Sequence, residues 1–207
     1  KASIDAMGTV RALLDQGKPA RLAALTDDER KLPFYAQLLS SKPVLYVCNV
    51  NENDAAKGNK WTALVADYAR AHGADTVIIS AAIEAEVAQL ESMDEKTEFL
   101  SSMDLTEPGL NKVIRAAFKL LNLQTYFTVG PKEARAWTLH VGARAPQAAG
   151  VIHTDFERGF IRAETIAYAD YVAHKGEAGA KESGKMRQEG KEYVVQDGDI
   201  MLFRFNV

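Results

Sequence analysis

The pattern of apolar and polar positions changes twice along this chain, near residue 40 and near residue 122. In the first stretch, Ile4, Val10, Leu13 and Leu14 recur at partial helical spacing until Gly17-Lys18-Pro19 breaks the run. Thr26-Asp27-Asp28-Glu29 is a capping-box sequence with Thr26 at the cap. It predicts a helix reaching about Leu39, kinked at Pro33. Residues 1–40 therefore read as a helical arm of the kind that packs on a partner segment. The start, Lys1-Ala2-Ser3-Ile4, carries no initiator Met and falls directly into the helical pattern, so it reads as a cut within a longer protein.

In the second stretch the run Val44–Cys48 has no polar alternation, as expected for a parallel strand covered on both faces. It stops at Asn49-Val50-Asn51-Glu52. Asn59 to His72 suits a crossover helix, with Trp61, Leu64, Val65 and Tyr68 on one stripe. A second strand, Thr76–Ile79, stops at Ser80-Ala81. Glu84 to Asp104 reads as helix and then loop. Thr106-Glu107-Pro108 opens a further helix, with Thr106 at the cap and Pro108 in the first turn. Leu110, Val113, Ile114, Ala117 and Leu121 follow at the spacing of a core-facing stripe. Together these make a βαβ unit with polar groups at both carboxyl ends, the place where open α/β sheets bind nucleotides.

Past residue 122 the elements shorten. Strands are expected at Tyr126–Val129, Ala136–Leu139, Tyr193–Val195 and Ile200–Phe205, with Gln196-Asp197-Gly198-Asp199 as a hairpin-type turn between the last two. Residues 175–192, rich in Gly, Lys and Glu, read as a solvated loop or short exposed helix. Strands at both ends and little helix predict a small α+β domain with a mixed sheet. There is no internal repeat.

Composition narrows the function classes. With 207 residues, 47% hydrophobic and 26% charged, the chain has the make-up of a globular protein. Its net charge of −3 gives no global basic field to recruit nucleic acid. Residues 123–207 hold eleven Lys and Arg against eleven Asp and Glu, so that domain is neutral and should bind RNA weakly by itself. Arg158, Arg162, Lys185 and Arg187 remain candidates for a local patch, weighed against ordinary surface charge. Cys48 is the single cysteine and reads as a small core hydrophobe. No apolar run approaches the roughly 18 residues a membrane helix needs, and no signal peptide pattern opens the chain. The cytoplasm is the default location, with no membrane partner. The four histidines, His72, His140, His153 and His174, show no metal-ligand spacing. Asp155, Glu157 and Glu164 read as turn and surface residues. Ser80 lacks the G-x-S-x-G frame of a nucleophile.

Two polar strand ends carry the candidate chemistry. P-loop GTPases read guanine with an N-K-x-D sequence after a parallel strand, because an amide offers both donor and acceptor. Here Asn49 stands at the Asn position, Val50 at the Lys position and Glu52 at the Asp position. The alternative is a polar strand end with Asx turns and no ligand. Ser80-Ala81, 31 positions later, matches the S-A pair whose backbone N–H groups serve the base. Its value lies in its placement at the end of the neighbouring strand. No GxxxxGK[ST] phosphate loop occurs anywhere in the 207 residues.

The chain resembles the carboxy-terminal part of the YchF/Obg-like ATPase family of P-loop NTPases. The resemblance rests on Lys42 through Glu52, Ser80 through Glu84, Leu121 through Gly130, Gly150 through Glu164 and Asp197 through Val207, and covers nearly the whole chain. It implies an α/β fold: residues 1–40 as the returning half of a helical coiled-coil arm, 41–122 as the C-terminal part of a nucleotide-binding domain with a partial P-loop NTPase parallel sheet, and 123–207 as an α+β ubiquitin-like β-grasp (TGS) domain. It implies a ribosome-associated protein that hydrolyses ATP slowly and prefers it to GTP, with RNA or ribosome contact through the TGS domain. Asn49 carries over as the base-reading amide, Val50 as a base-packing or backbone contact, Glu52 as the altered specificity position, and Ser80 and Ala81 as the second base-side contact. The family's phosphate loop, Mg-binding elements and water-positioning residues have no counterpart in these 207 residues. This chain alone is therefore expected to be inactive, with no catalytic and no metal-binding residues. Two rival readings stand beside this one: a non-catalytic β-grasp adaptor docking on ribosome, RNA or protein, and a guanine-specific GTPase fragment.

Overall fold

The computed structural model describes residues 2–206. The chain forms two compact units, the first running to Leu121 and the second starting at Asn122.

In the first unit, α1 (Ala2–Leu14) is followed by two short helices, α2 (Asp27–Arg30) and α3 (Pro33–Gln37). The single kinked helix expected over this stretch is thus broken. Leu32, the residue before Pro33, adopts the extended conformation that a following proline favours, and Pro33 starts a new helix as its first residue. The capping box at Thr26 is present: Thr26 Oγ1 accepts from the Glu29 N–H and the Glu29 carboxylate accepts from the Thr26 N–H. Val10, Ala20, Ala23 and Tyr35 are buried together, so residues 10–38 hold a small apolar core of their own.

Two parallel strands, β1 (Leu45–Asn49) and β2 (Asp75–Ile79), are joined by α4 (Lys60–Ala71), which is capped by Asn59. After β2 come α5 (Ala81–Val87), α6 (Met93–Ser102) and α7 (Gly109–Leu120). A second core gathers Ala55, Ile83, Val87, Leu100 and Leu105, with Val50 packed against it.

Further expectations for this unit fail: where Glu84 to Asp104 reads as helix and then loop, α6 forms a second helix. Thr106 does not cap α7. The N–H groups of Gly109 and Leu110 are taken instead by the carboxylate of Glu84, at 2.6 and 3.1 Å. Nor does the α7 stripe face a core along its length, since Leu110, Ile114 and Leu121 are 57%, 47% and 50% exposed. Two strands present a surface only about 5 Å wide between their axes, too narrow to cover a full amphipathic face. The α4 stripe behaves alike: Trp61, Leu64 and Tyr68 are exposed, while Thr62 and Ala69 are buried.

The second unit is a five-stranded mixed sheet: β3 (Leu123–Val129), β4 (Ala134–His140), β5 (Phe160–Ala167), β6 (Arg187–Glu189) and β7 (Asp199–Phe205), in the order β4-β3-β7-β5-β6. β3 and β7 run parallel and the other pairs are antiparallel. Helices α8 (Ala145–Ile152) and α9 (Thr154–Arg158) precede β5, and α10 (Tyr168–Ala173) and α11 (Glu177–Glu182) follow it. α8 buries Ala145, Ala148 and Ala149, and these small side chains let it approach a core of Tyr126, Leu139, Phe160, Ala163, Met201 and Phe203. Tyr126 is fully buried, and its hydroxyl donates to the Ala148 carbonyl at 2.8 Å.

The mixed sheet was expected, but two strands are new and one is lost. β5 has no regular alternation: the register slips between Phe160 and Arg162, and the successive residues Thr165 and Ile166 are both buried. β6 lies in the segment read as loop. Tyr193–Val195 makes only a single bridge, Arg144 to Val194. Gln196–Asp199 is accordingly a turn into β7 but not a hairpin. Gly198, at φ 82°, donates its N–H to the Thr125 carbonyl, and the Asp197 carboxylate accepts from the Thr125 N–H.

Candidate functional site

β1 and β2 are in register, with Asn49 opposite Ile79, so the loops that follow them emerge side by side. The Val50 N–H extends the ladder by one bond, to the Ile79 carbonyl at 2.9 Å. Beyond that point the chains diverge. One turns into a 3₁₀ segment, Glu52–Asp54, and the other into α5.

The two loops are tied by one side chain. Asn49 Oδ1 accepts the Ala81 N–H at 2.9 Å. This N–H belongs to the first residue of α5, which has no intrahelical partner, so the amide supplies the acceptor the helix end requires. Ser80, the preceding residue, makes no side-chain cap. Ser80 is only 2% exposed, and its buried hydroxyl has no hydrogen-bond partner among the described residues. With Oδ1 engaged, the Nδ2 group of Asn49 is the free face of that amide, and it donates to none of the described residues.

Sequence reasoning named five base-side residues. Asn49, Val50, Ser80 and Ala81 converge around the paired strand ends. Val50 sends its side chain against the Ala55–Ile83–Leu105 core, while its N–H is held by the Ile79 carbonyl. Glu52 is exposed on the 3₁₀ turn and forms no ion pair among the described residues. Asn49, Val50 and Asn51 also line a groove of about 480 Å³ with Tyr46, Trp61 and Val65. The rim residue Asn59 is held by Asp54, its Nδ2 donating to Oδ2 at 2.7 Å, while its own Oδ1 caps α4. Sequence reading missed this Asp54–Asn59 brace, although Asn59-x-x-Thr62 is a capping pattern. It also missed the grip of Glu84 on α7.

The four basic residues singled out in the second unit differ in kind from that site. Arg162 lies near Glu164 at 3.8 Å and Lys185 near Asp170 at 3.4 Å. Arg187 on β6 bonds Glu189 at 2.9 Å and the Tyr193 hydroxyl at 2.9 Å, and approaches buried Asp199 at 3.6 Å. Tyr193 donates to Asp199 at 2.7 Å. Burial, reinforced by that carboxylate, pushes the Tyr193 hydroxyl up to about 12. Arg158, at the end of α9, alone has no ion pair among the described residues. Among the described residues no group of three or more His, Cys, Asp or Glu could hold a metal, and no helix is long and apolar enough to cross a membrane.

Comparison with known proteins converges on one family. A family model named YchF-GTPase_C, described as a protein of unknown function (DUF933), matches residues 123–206. The protein named ribosome-binding ATPase YchF in Pasteurella multocida is 53% identical over 207 residues, which are 100% of this chain and 56% of that relative. Human Obg-like ATPase 1 is 40% identical over 211 residues, covering 100% of this chain and 53% of its own length. The solved structure of the Schizosaccharomyces pombe YchF GTPase superposes with a TM-score of 0.81 at 32% identity, covering 97% of this chain and 53% of that one. The chain thus spans about half the length of the curated relatives it matches. With the full length of the chain aligned at such identities, it belongs to the YchF/Obg-like ATPase family, matching its C-terminal part.

Proposed function

We propose that the first unit is the base-recognising part of a P-loop nucleotide-binding domain, and that the whole protein binds and hydrolyses ATP, and GTP less well, on ribosomes in the cytoplasm. The observation that carries this is the Asn49 Oδ1 bond to the Ala81 N–H, which joins the two base-side loops at aligned strand ends. It fixes the amide so that Nδ2 is presented as a donor. Purine N7 is an acceptor, so this donor suits adenine and guanine alike.

Discrimination falls to the 6-position and the far edge of the ring. Guanine O6 needs a donor, and the Ala81 N–H is already spent on Asn49. Guanine N1–H and N2–H₂ need a carboxylate at a set distance. Glu52 carries one more methylene than the Asp of N-K-x-D and sits exposed on its turn. Both features favour adenine.

Hydrolysis needs phosphates and Mg positioned by other elements. In this reading the phosphate loop, the Mg ligands and the residues that place the water belong to a part of the protein outside these 207 residues, so the chain alone turns over no ATP. Residues 1–40 are the returning half of a coiled-coil arm. The second unit is a TGS domain of β-grasp type. Counted within the unit its sheet order is 2-1-5-3-4, with first and last strands parallel and a helix following the first hairpin, which supports that assignment.

The test is an NMR titration of the chain with ATP and with GTP, up to millimolar nucleotide. Shifts at the Asn49 side-chain amide, Val50, Ser80 and Ala81 that are larger for ATP are the expected result. Shifts that are absent there refute the base-reading role, and ATP turnover by the chain alone refutes the division of labour. A second reading, a non-catalytic β-grasp adaptor, draws on the ion pairs of Arg162, Lys185 and Arg187, which tie up three of the four basic residues expected to form a local patch. Co-sedimentation of residues 122–207 with ribosomes, without nucleotide dependence, would favour it.

A further inference from the structure

We infer that Glu84 is a positioning residue for the base-side loop: by clamping the N-terminus of α7 with both carboxylate oxygens, it sets the pose of α5 and hence the Ala81 N–H that holds Asn49. The bonding path is continuous. Glu84 Oε1 accepts from Gly109 N–H at 2.6 Å and Oε2 from Leu110 N–H at 3.1 Å. These are the first two N–H groups of a twelve-residue helix, where orphan donors and the helix dipole both favour a carboxylate. The Glu84 backbone N–H closes the first turn of α5 on the Ser80 carbonyl at 3.0 Å. The residue that grips α7 is therefore also the one that fixes the peptide between Ser80 and Ala81. That peptide's N–H meets Asn49 at 2.9 Å.

The clamp depends on close approach. Gly109 is buried, and a Cβ there would lie 2.9 Å from Glu84 Oε1 and 2.9 Å from Ile79 Cγ2. Ile79 ends β2, so strand end, base-side loop and α7 meet at one point. The neighbouring acid Glu86 is exposed and makes none of these bonds, so position on the helix, and not charge alone, gives Glu84 its role.

The consequence for nucleotide rests on the reading proposed above; the positioning itself does not. The experiment is amide hydrogen exchange by NMR on the 207-residue chain, at Ala81, Gly109 and Leu110, in wild type, Glu84→Ala, Glu84→Gln and the control Glu86→Ala. Glu84→Ala should speed exchange about tenfold at Gly109 and Leu110, and also at Ala81, which Glu84 does not touch with its side chain. Glu84→Gln keeps one carbonyl acceptor and should recover part of the Ala81 protection. Glu86→Ala should change none of the three. Faster exchange at Gly109 and Leu110 with Ala81 unchanged would overturn the inference and leave Glu84 a plain helix cap. If Glu84→Ala does not fold, Glu84→Gln decides by the same criterion: intermediate acceleration at Ala81 supports the role and none refutes it. A parallel ATP titration separates the two claims. Wild type that shows no shift at the Asn49 amide ends the nucleotide reading, while the exchange data still judge the clamp.

Discussion

Replacing Asn49 by Ala and by Asp should separate the loop-joining bond of this amide from the base-reading role proposed for it. The Oδ1 atom holds the Ala81 N–H at 2.9 Å on an exposed surface. Asn49→Ala removes that acceptor, but water reaches the freed N–H, so the cost sits at the low end of a hydrogen bond, about 0.5–1 kcal/mol. For a unit of about 120 residues, an unfolding entropy of about 2.1 cal/mol/K per residue converts this to a Tm drop of about 2–4 °C. Asn49→Asp keeps an oxygen acceptor and places a negative charge at the start of α5, where the helix dipole favours it. Its Tm should equal wild type or rise slightly. Base recognition should be lost in both variants, because Ala has no donor for purine N7 and a carboxylate repels it. Calorimetry of the three proteins at pH 7, with ATP-dependent shifts at Val50 and Ala81 in the same samples, reads both effects. If Asn49→Ala melts within 1 °C of wild type, the loop-joining bond contributes nothing. If Asn49→Asp falls as far as Asn49→Ala, or still responds to ATP, the assignment of the two ends of the amide is wrong.

Other outcomes concern the second unit. A Cβ at Gly159 would overlap the carbonyl oxygen of Asn206, whose N–H bonds the Gly159 carbonyl at 2.9 Å, and backbone on both sides cannot give way. Gly159→Ala should cost about 2–3 kcal/mol, lowering the melting temperature of that unit by about 11–17 °C in a thermal scan. Tyr126→Phe deletes only the bond to Ala148 in a filled core and should cost about 1 kcal/mol by urea denaturation. The Arg204 hydrogen bond to Glu164, at 2.9 Å, holds that carboxyl below its ordinary value of 4.5. A depressed folded-state pKa gives stability that is present above the unfolded value and lost as pH falls through the folded one. The Tm of wild type should therefore drop more steeply below about pH 4.5 than that of Glu164→Gln, and parallel acid limbs would count against the pairing.

The sequence by itself determined what depends on near neighbours. The strand ends at Asn49 and Ile79 and the capping box at Thr26 are legible because hydrophobic runs and cap residues act within a few positions. The juxtaposition of Asn49, Val50, Ser80 and Ala81, proposed above as a base-side site, follows from the same logic, since parallel strands with polar carboxyl ends bring those loops together. Tertiary structure alone decided what depends on who covers a surface or who supplies a partner. The α7 periodicity shows an amphipathic helix, but not that Leu110, Ile114 and Leu121 stay exposed beside a two-stranded sheet. The cap of α7 comes from Glu84, 25 residues upstream of Gly109, where no local pattern could point. β5 escaped notice because its bulge between Phe160 and Arg162 and the burial of both faces at Thr165 and Ile166 leave no two-residue alternation, and β6 because three polar residues become a strand only when β5 lies beside them. Local chemistry writes caps and strand ends into the chain, whereas coverage and pairing are settled by residues far apart in sequence, after the loop-closure entropy of bringing them together has been met.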